Sequence, residues 1–312
     1  MTEMLDIARL KEKFASDEMR AITKIASEIR YCAGRFLRDN GFVELNPVII
    51  SPITDPLRHQ VYDASIEYLG KRYRLTKSMI FHKQISLLCQ EKIFIFSPNV
   101  RLEPQEYSVT KQHLIEFTQI DVEVRNARRE FVMELTERLL IEIISYLKEH
   151  CAQELAVLKR NVKVPEMPFK RYKYLDAFNV YGKDFEKILS AESNEPFWII
   201  DFPINVREFY DREYDENPGI LCDMDLIYPE GYGEALSGGE REFKYERIIQ
   251  RMGISQVNPE EFHWYLEFSK HGLILPSAGF GIGLERLTRY ICGLTEIADA
   301  TLFPKLPGKF GI

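Results

Sequence analysis

The 312-residue sequence predicts an α+β fold built mainly on antiparallel strands. Three observations carry that expectation. Helical and strand-like stretches are mixed irregularly, without the strand–helix alternation of a doubly wound parallel sheet. No glycine-rich loop of the P-loop or dinucleotide type is present. Hydrophobic residues make up 45% and charged residues 29% of the chain, the balance of an ordinary globular protein with enough length for a large core.

Residues 3 to 39 read as helix, because Ile7, Leu10, Phe14, Ile22, Ile25, Ile29, Ala33 and Leu37 recur at helical spacing. Asn40-Gly41 stops it. Phe42 to Ile50 reads as a strand, and Pro47 within it points to an edge or interface position. Tyr68 to Tyr73 reads as a hairpin turning at Gly70-Lys71, Met79 to Leu88 as a helix, and Lys92 to Ser97 as a buried strand. Two further strands are expected around Val100 to Glu103 and Leu114 to Val124, followed by an amphipathic helix from Arg128 to His150. Val162 to Pro168 is interrupted by proline and reads as a linker within the domain. Phe197 to Ile200 and Ile220 to Tyr228 read as strands and Arg241 to Met252 as a helix. Asn258-Pro-Glu-Glu261 reads as a helix start, with an Asn cap, a first-turn proline and acids after it. Gly279 to Gly283 is a glycine-rich strand end feeding a helix from Leu284 to Cys292. No internal repeat or low-complexity segment is present.

The five cysteines, Cys32, Cys89, Cys151, Cys222 and Cys292, are widely spaced and odd in number, which argues against a disulfide scaffold and offers no metal-ligand pair. No signal peptide and no apolar run of the roughly 20 residues needed to span a membrane is found. The expectation is a reduced, cytoplasmic protein with no membrane partner. Net charge is −7 and the isoelectric point about 5.6, without the basic excess of a dedicated nucleic-acid binder. The densest basic run, Lys170-Arg-Tyr-Lys173, reads as a solvated face.

Strand alternation puts Phe117, Gln119, Asp121 and Glu123 on one face, opposite Ile120, Val122 and Val124. With Arg101 and Glu103 on a neighbouring strand, that face would hold an aromatic ring, an arginine and acids. Such a surface suits a nucleotide, the ring stacking a base and the arginine neutralising a phosphate; read alone, it fits a salt-bridged surface sheet slightly better. Asp223 and Asp225 share a face, with Glu234 and Ser237 close behind, and carboxylates plus a hydroxyl, with a phosphate, make a hard oxygen site for Mg²⁺; read alone, two aspartates on a strand are more often simply exposed. Ser237-Gly-Gly-Glu-Arg241 reads as a turn placing Arg241 near a helix start, where it can grip a carboxylate or simply face solvent. Arg286 falls in the first turn of its helix, a mild misfit with the helix dipole that suggests a task.

The order of these segments carries more than any one of them. Gly41-Phe-Val-Glu-Leu-Asn-Pro47, Arg101-Leu-Glu103 with His113-Leu-Ile-Glu-Phe-Thr-Gln-Ile-Asp121, and Gly279-Phe-Gly-Ile-Gly-Leu-Glu-Arg286 resemble motifs 1, 2 and 3 of class II aminoacyl-tRNA synthetases of the aspartyl/asparaginyl subgroup. The resemblance implies a class II synthetase fold, with one catalytic domain over residues 1–312, no anticodon-binding domain, and a homodimer. It also implies site roles: Arg101 and Arg286 catalytic; Arg101, Glu103, His113, Phe117, Glu234, Ser237 and Arg286 on ATP; Asp225, Glu234 and Ser237 on Mg²⁺; and Lys83, Asp121 and Arg241 on aspartate.

Further stretches, including Ser51 to Leu57, Arg74 to Ile80, Arg207-Glu-Phe-Tyr-Asp-Arg212, Tyr232-Gly-Glu234 and Pro276 to Gly279, resemble the archaeal asparagine synthetases related to asparaginyl-tRNA synthetase. That narrower resemblance implies a reaction of aspartate, ATP and ammonia giving asparagine, AMP and pyrophosphate through an aspartyl-adenylate, with tRNA not expected as a partner. Gln112 in place of an arginine, Ser78-Met-Ile80 in place of a Ser-Pro-Gln loop, and Glu240 in place of a glutamine point the same way. The alternative is a truncated aspartyl/asparaginyl-tRNA synthetase, or an amino-acid ligase charging tRNA or another acceptor. A non-catalytic paralogue or a plain dimer module fits less well, because Arg101, Glu234 and Arg286 are all retained.

Overall fold

A computed structural model describes residues 7–309. The expected first helix forms as two, α1 (Ile7–Ala15) and α2 (Asp17–Asp39). Ser16 divides them: its hydroxyl accepts from the Met19 N–H at 3.1 Å, and Asp17 and Glu18 set acids at the positive end of α2. Residues 3 to 6 of the predicted helix lie outside the described residues. Gly41 follows with a φ of +82°, the left-handed conformation that a glycine adopts without strain.

The strand expected over Phe42 to Ile50 is two short pieces, β1 (Val43–Glu44) and β2 (Ile50–Ser51), with Pro47 in the unpaired stretch between them. β2 joins the hairpin of β3 (Ser65–Tyr68) and β4 (Lys71–Leu75) in a small three-stranded sheet. After α3 (Ile80–Ser86), β5 (Lys92–Val100) and β6 (Glu116–Arg125) pair antiparallel, from Lys92 opposite Val124 to Val100 opposite Glu116. No separate strand forms at Val100 to Glu103: Val100 ends β5, and Arg101 continues the pairing through its N–H to the Ile115 carbonyl at 2.8 Å.

Then come α4 (Arg129–His150), α5 (Ala152–Val157), β7 (Lys170–Lys173), α6 (Tyr174–Tyr181), α7 (Phe185–Glu192), β8 (Phe197–Ile200), β9 (Asp223–Tyr228), β10 (Gly233–Glu240), α8 (Tyr245–Ser255), α9 (His263–Lys270), β11 (Ser277–Gly283) and α10 (Leu284–Cys292). The stretch read as a linker is built into the core, where Val162 is buried. Among the described residues the main sheet has eight strands in the order β1-β5-β6-β11-β10-β9-β8-β7. Its two outermost pairs are parallel and the rest antiparallel, so the α+β, mainly antiparallel expectation holds. β1 sits at an edge.

One face of this sheet is covered by α2, α4 and α10. Ile120, Val122 and Val124 of β6 and Phe280 and Ile282 of β11 meet Ile25 and Ile29 of α2, Ile143 of α4 and Leu287 of α10 in the largest apolar cluster. The strand alternation therefore turns Phe117, Gln119, Asp121 and Glu123 to the opposite face. There the sheet is walled by α3 and by a second apolar cluster in which Phe81 packs against Phe209, Phe262 and Tyr265.

The predicted helix from Arg241 starts four residues late, at Tyr245, and Ser237 to Glu240 is strand, not turn. The glycines are there for close sheet packing. A Cβ on Gly238 would stand 2.4 Å from the Gly279 carbonyl oxygen, and one on Gly239 2.7 Å from the Asp223 Cα. Arg241 leaves the strand end and bridges to Asp211.

Candidate active site

β11 lies between β6 and β10, and its glycines clear the ground for charged side chains. Gly279 pairs with Glu123 and Gly281 with Asp121. A Cβ at Gly279 would come within 2.2 Å of Glu123 Oε2, and one at Gly281 within 3.0 Å of Asp121 Oδ1. The cleft floor is thus bare backbone, edged by acids that the sequence places at alternate positions of β6.

Two adjoining cavities, of about 300 and 260 Å³, open over this floor. Arg101, Glu103, His113, Phe117, Glu234 and Arg286 line the first, and Lys83, Asp121, Ser237 and Arg241 the second. Arg101, Gln119, Glu234, Gly281 and His59 line both. The structure thus gathers nearly all the sequence-named residues at one place. Asp225 sits just behind, opposite Ser237 in the β9–β10 register.

In the first cavity the Arg101 guanidinium stands 5.1 Å from the Phe117 ring centre, and its Nε donates to the Lys77 carbonyl. Arg286 forms an ion pair with Glu234 at 3.1 Å. Burial opposes ionisation of Glu234, but Arg286, Arg207 and Arg101 outweigh it and hold its carboxyl below the ordinary value. His113 rests against Tyr107 and shares a hydrogen bond between Nδ1 and the Thr110 hydroxyl at 2.6 Å. Burial, helped by Arg286, lowers it to about 4, so its imidazole is neutral at pH 7.

The second cavity ends in a buried charge lattice. Lys83 Nζ donates to Asp121 Oδ1 at 2.7 Å and to the Phe280 carbonyl at 3.3 Å, and lies 3.6 Å from Glu123. Arg241 donates to both Glu123 oxygens and to Asp211, and Ser277 adds a hydroxyl bond to Glu123. Burial lowers the stability of the Arg241 cation, yet Glu123 and Asp211 more than compensate. Asp121 Oδ2 is buried without a hydrogen-bond partner. Asp223 and Asp225 flank Arg207, which contacts them at 2.8 and 2.6 Å. Burial pushes both carboxyls up to about 6 against that cation.

Asp225, Glu234 and Ser237 are hard oxygen donors of the kind that suit a Mg²⁺ also held by phosphates. Among the described residues no three His, Cys, Asp or Glu side chains gather as a preformed metal site, so the protein would supply only part of such a coordination sphere.

Several wall residues escaped the sequence reading: His59, Asp55, Glu208, Tyr210 and Asp211. The Tyr210 hydroxyl donates to Asp55 at 2.9 Å across 155 positions of chain, a separation that leaves no local signal. Arg207 to Asp211 were visible only as part of a motif without assigned roles. All five cysteines are free, and among the described residues no helix is long and apolar enough to cross a membrane.

Residues 7–307 match the family model described as tRNA synthetases class II (D, K and N). The asparagine–tRNA ligase of Thermococcus kodakarensis is 28% identical over 323 residues, covering 98% of this chain and 73% of that protein. That of Lactobacillus delbrueckii subsp. bulgaricus is 30% identical over 303 residues, covering 92% and 69%. The crystal structure of asparaginyl-tRNA synthetase from Pyrococcus horikoshii complexed with asparaginyl-adenylate superposes with a TM-score of 0.88 at 24% identity, covering 99% of this chain and 74% of that one.

These likenesses overturn the expectation of an ammonia-dependent asparagine synthetase that does without tRNA, because the relatives matched along nearly the whole chain are tRNA ligases. The features that suggested otherwise have local explanations. Among the described residues ten acidic side chains are buried against five basic ones, so the net charge of the whole chain is a poor guide to its outer surface. Glu240 is a packing residue, accepting from Arg128, Arg212 and the Arg129 N–H. Gln112 lines the first cavity beside Gly233.

Proposed function

The chain belongs to the class II tRNA synthetases of the D, K and N group, and from that membership we propose that it is an ATP-dependent aminoacyl-tRNA ligase for asparagine or aspartate. The observation that carries this reading is the meeting of two cavities at Arg101. One is lined by an aromatic ring and two arginines, the other ends in buried, oppositely charged pairs. A nucleotide in the first would stack on Phe117 and set its phosphates against Arg101, Arg286 and neutral His113. An amino acid in the second would offer its ammonium to the unpartnered Asp121 Oδ2 and its side-chain end to Lys83 and Arg241.

The α-carboxylate would then face the α-phosphorus beside Arg101. Its attack expels pyrophosphate and leaves an aminoacyl-adenylate, with Arg101 and Arg286 stabilising the charge that develops on the phosphoryl oxygens. The terminal ribose hydroxyl of tRNA attacks the activated carbonyl and releases AMP. Asp225, Glu234 and Ser237 would hold Mg²⁺, which neutralises phosphate charge when bound.

Pyrophosphate exchange into ATP, measured with asparagine and with aspartate separately and without tRNA, tests the first half. Acylation of unfractionated tRNA with the better amino acid tests the second. Exchange with one of the two followed by aminoacyl-tRNA is the expected result; no exchange with either would refute the proposal.

A further inference from the structure

The segment from Asp55 to His59 crosses from the amino-acid cavity to the nucleotide cavity, and it ends on a carboxylate. His59 Nε2 lies 3.0 and 3.1 Å from the two oxygens of Glu103. Both partners are acceptors, so Nε2 carries the proton and donates. The Glu103 side chain is only 3% exposed while that of His59 is 36% exposed. The imidazole therefore stands between Glu103 and the open cavity.

Glu103 is also the carboxylate in that cavity with the fewest other commitments. Glu234 is paired with Arg286 and Glu285 accepts the Thr118 N–H. The rest of the segment is tied down in the amino-acid cavity wall: the Arg58 N–H, next to His59, donates to Glu208 at 3.0 Å, and Asp55 at the far end accepts from Tyr210 and from the Leu57 N–H. Leu57 takes a left-handed φ of +58° to make the bend.

We infer that His59 is a positioning residue that occupies Glu103 as an internal ligand and must give way when the amino group of an adenine comes to donate to the same carboxylate. This inference rests on the proposed use of the first cavity for ATP. A hydrogen bond to a charged group strengthens the resting contact, so the imidazole competes with the base and weakens ATP binding.

The test is calorimetric titration of the full chain with ATP and Mg²⁺, beside exchange kinetics. His59→Ala should bind ATP about tenfold more tightly, with a matching fall in the KM for ATP. His59→Gln, which keeps a donor, should return toward the parent value. Inosine triphosphate, with a carbonyl oxygen where adenine has its amino group, should gain little from His59→Ala. ATP affinity that is unchanged or weaker in His59→Ala would overturn the inference, as would an equal gain for inosine triphosphate. Failure of the parent protein to bind ATP at all would refute the proposed function itself, and this inference with it.

Discussion

The two faces of the central sheet are both buried, yet they are held together by different physics. On the helix side Ile120, Val122, Phe280 and Ile282 fill space with apolar volume. On the cleft side Asp121 and Glu123, from the same strand, are as inaccessible as Ile120 and Val122 but are neutralised by Lys83 and Arg241. An apolar layer tolerates exchange of shape, because dispersion and burial are not directional. A buried charge lattice tolerates almost no exchange, because each charge removed leaves a partner stranded in a poor solvent. A protein keeps such a lattice where a polar ligand must be met, and the cleft side is where both cavities lie.

The comparison is sharpest if one member of the lattice is deleted. Arg241→Leu leaves Glu123 and Asp211 buried without their cation, and the expected cost is ~3–5 kcal/mol in thermal or denaturant unfolding. A loss below about 1 kcal/mol would mean that the pairs are not holding the cleft, since even modest buried pairs cost more to break.

Arg101→Ala should separate the two faces in another way. Arg101 is half-buried at the junction of the cavities and takes no part in the apolar core. Unfolding should be nearly unchanged, whereas pyrophosphate exchange should fall by about 10²–10³, the usual cost of removing one donor to a developing oxyanion. On the opposite face, Ile120→Leu is the matched control. It alters shape within a fully buried layer, and should cost under ~1.5 kcal/mol with exchange intact. An Ile120→Leu loss equal to that of Arg241→Leu would erase the distinction between the faces.

The sequence carried one face more fully than the other. The alternation of Ile120, Val122 and Val124 against Phe117, Gln119, Asp121 and Glu123 is a local, two-residue period, and it placed both faces of β6 correctly. Ser237-Gly-Gly-Glu-Arg241 misled, because glycines that allow close strand packing look in sequence like glycines that make a turn. Only the Cβ clashes of Gly238 and Gly239 with β11 and β9 tell the two apart. Ser16 was likewise unread as a break within one long periodic helix. His59 was not singled out, and Asp55 and Glu208 appeared only within family-like stretches without roles, because their partners, Glu103, Tyr210 and Arg58, are brought to them by tertiary folding. The reaction assigned from the narrower resemblance failed because the relatives matched along nearly the whole chain are tRNA ligases; the acidic net charge that seemed to agree with it is in part interior.

A smaller effect is expected from pH. Burial, with Asp55 and Asp211 nearby, pushes Glu208 up to about 8 from an ordinary 4.5. Between those values the folded protein keeps a proton that the unfolded chain has released, so this group's contribution to stability falls as pH rises through the window. Glu208→Gln removes that titration. Its melting temperature relative to the parent protein should therefore climb from pH 5 to pH 8, and a difference independent of pH would show that Glu208 is ionised when folded.

The smallest expected effect is at His113, and it bears on how the phosphate side of the cleft works. Its shift runs the other way, from 6.5 to about 4, because burial and the neighbouring Arg286 disfavour the imidazolium. Between those values the unfolded chain binds the proton and the folded protein does not, so stability is lost as pH falls from about 6.5 toward 4. Through the neutral range His113 is uncharged, and the cationic work of the cavity falls to Arg101 and Arg286. The pH profile of pyrophosphate exchange should accordingly run parallel in the parent protein and in His113→Gln from pH 5.5 to 8, offset by no more than about tenfold, the loss of one neutral hydrogen bond. A step near pH 6.5 that is present in the parent and absent from His113→Gln would instead make the imidazolium a phosphate-binding cation, and would move part of the charge assigned to the two arginines onto the histidine.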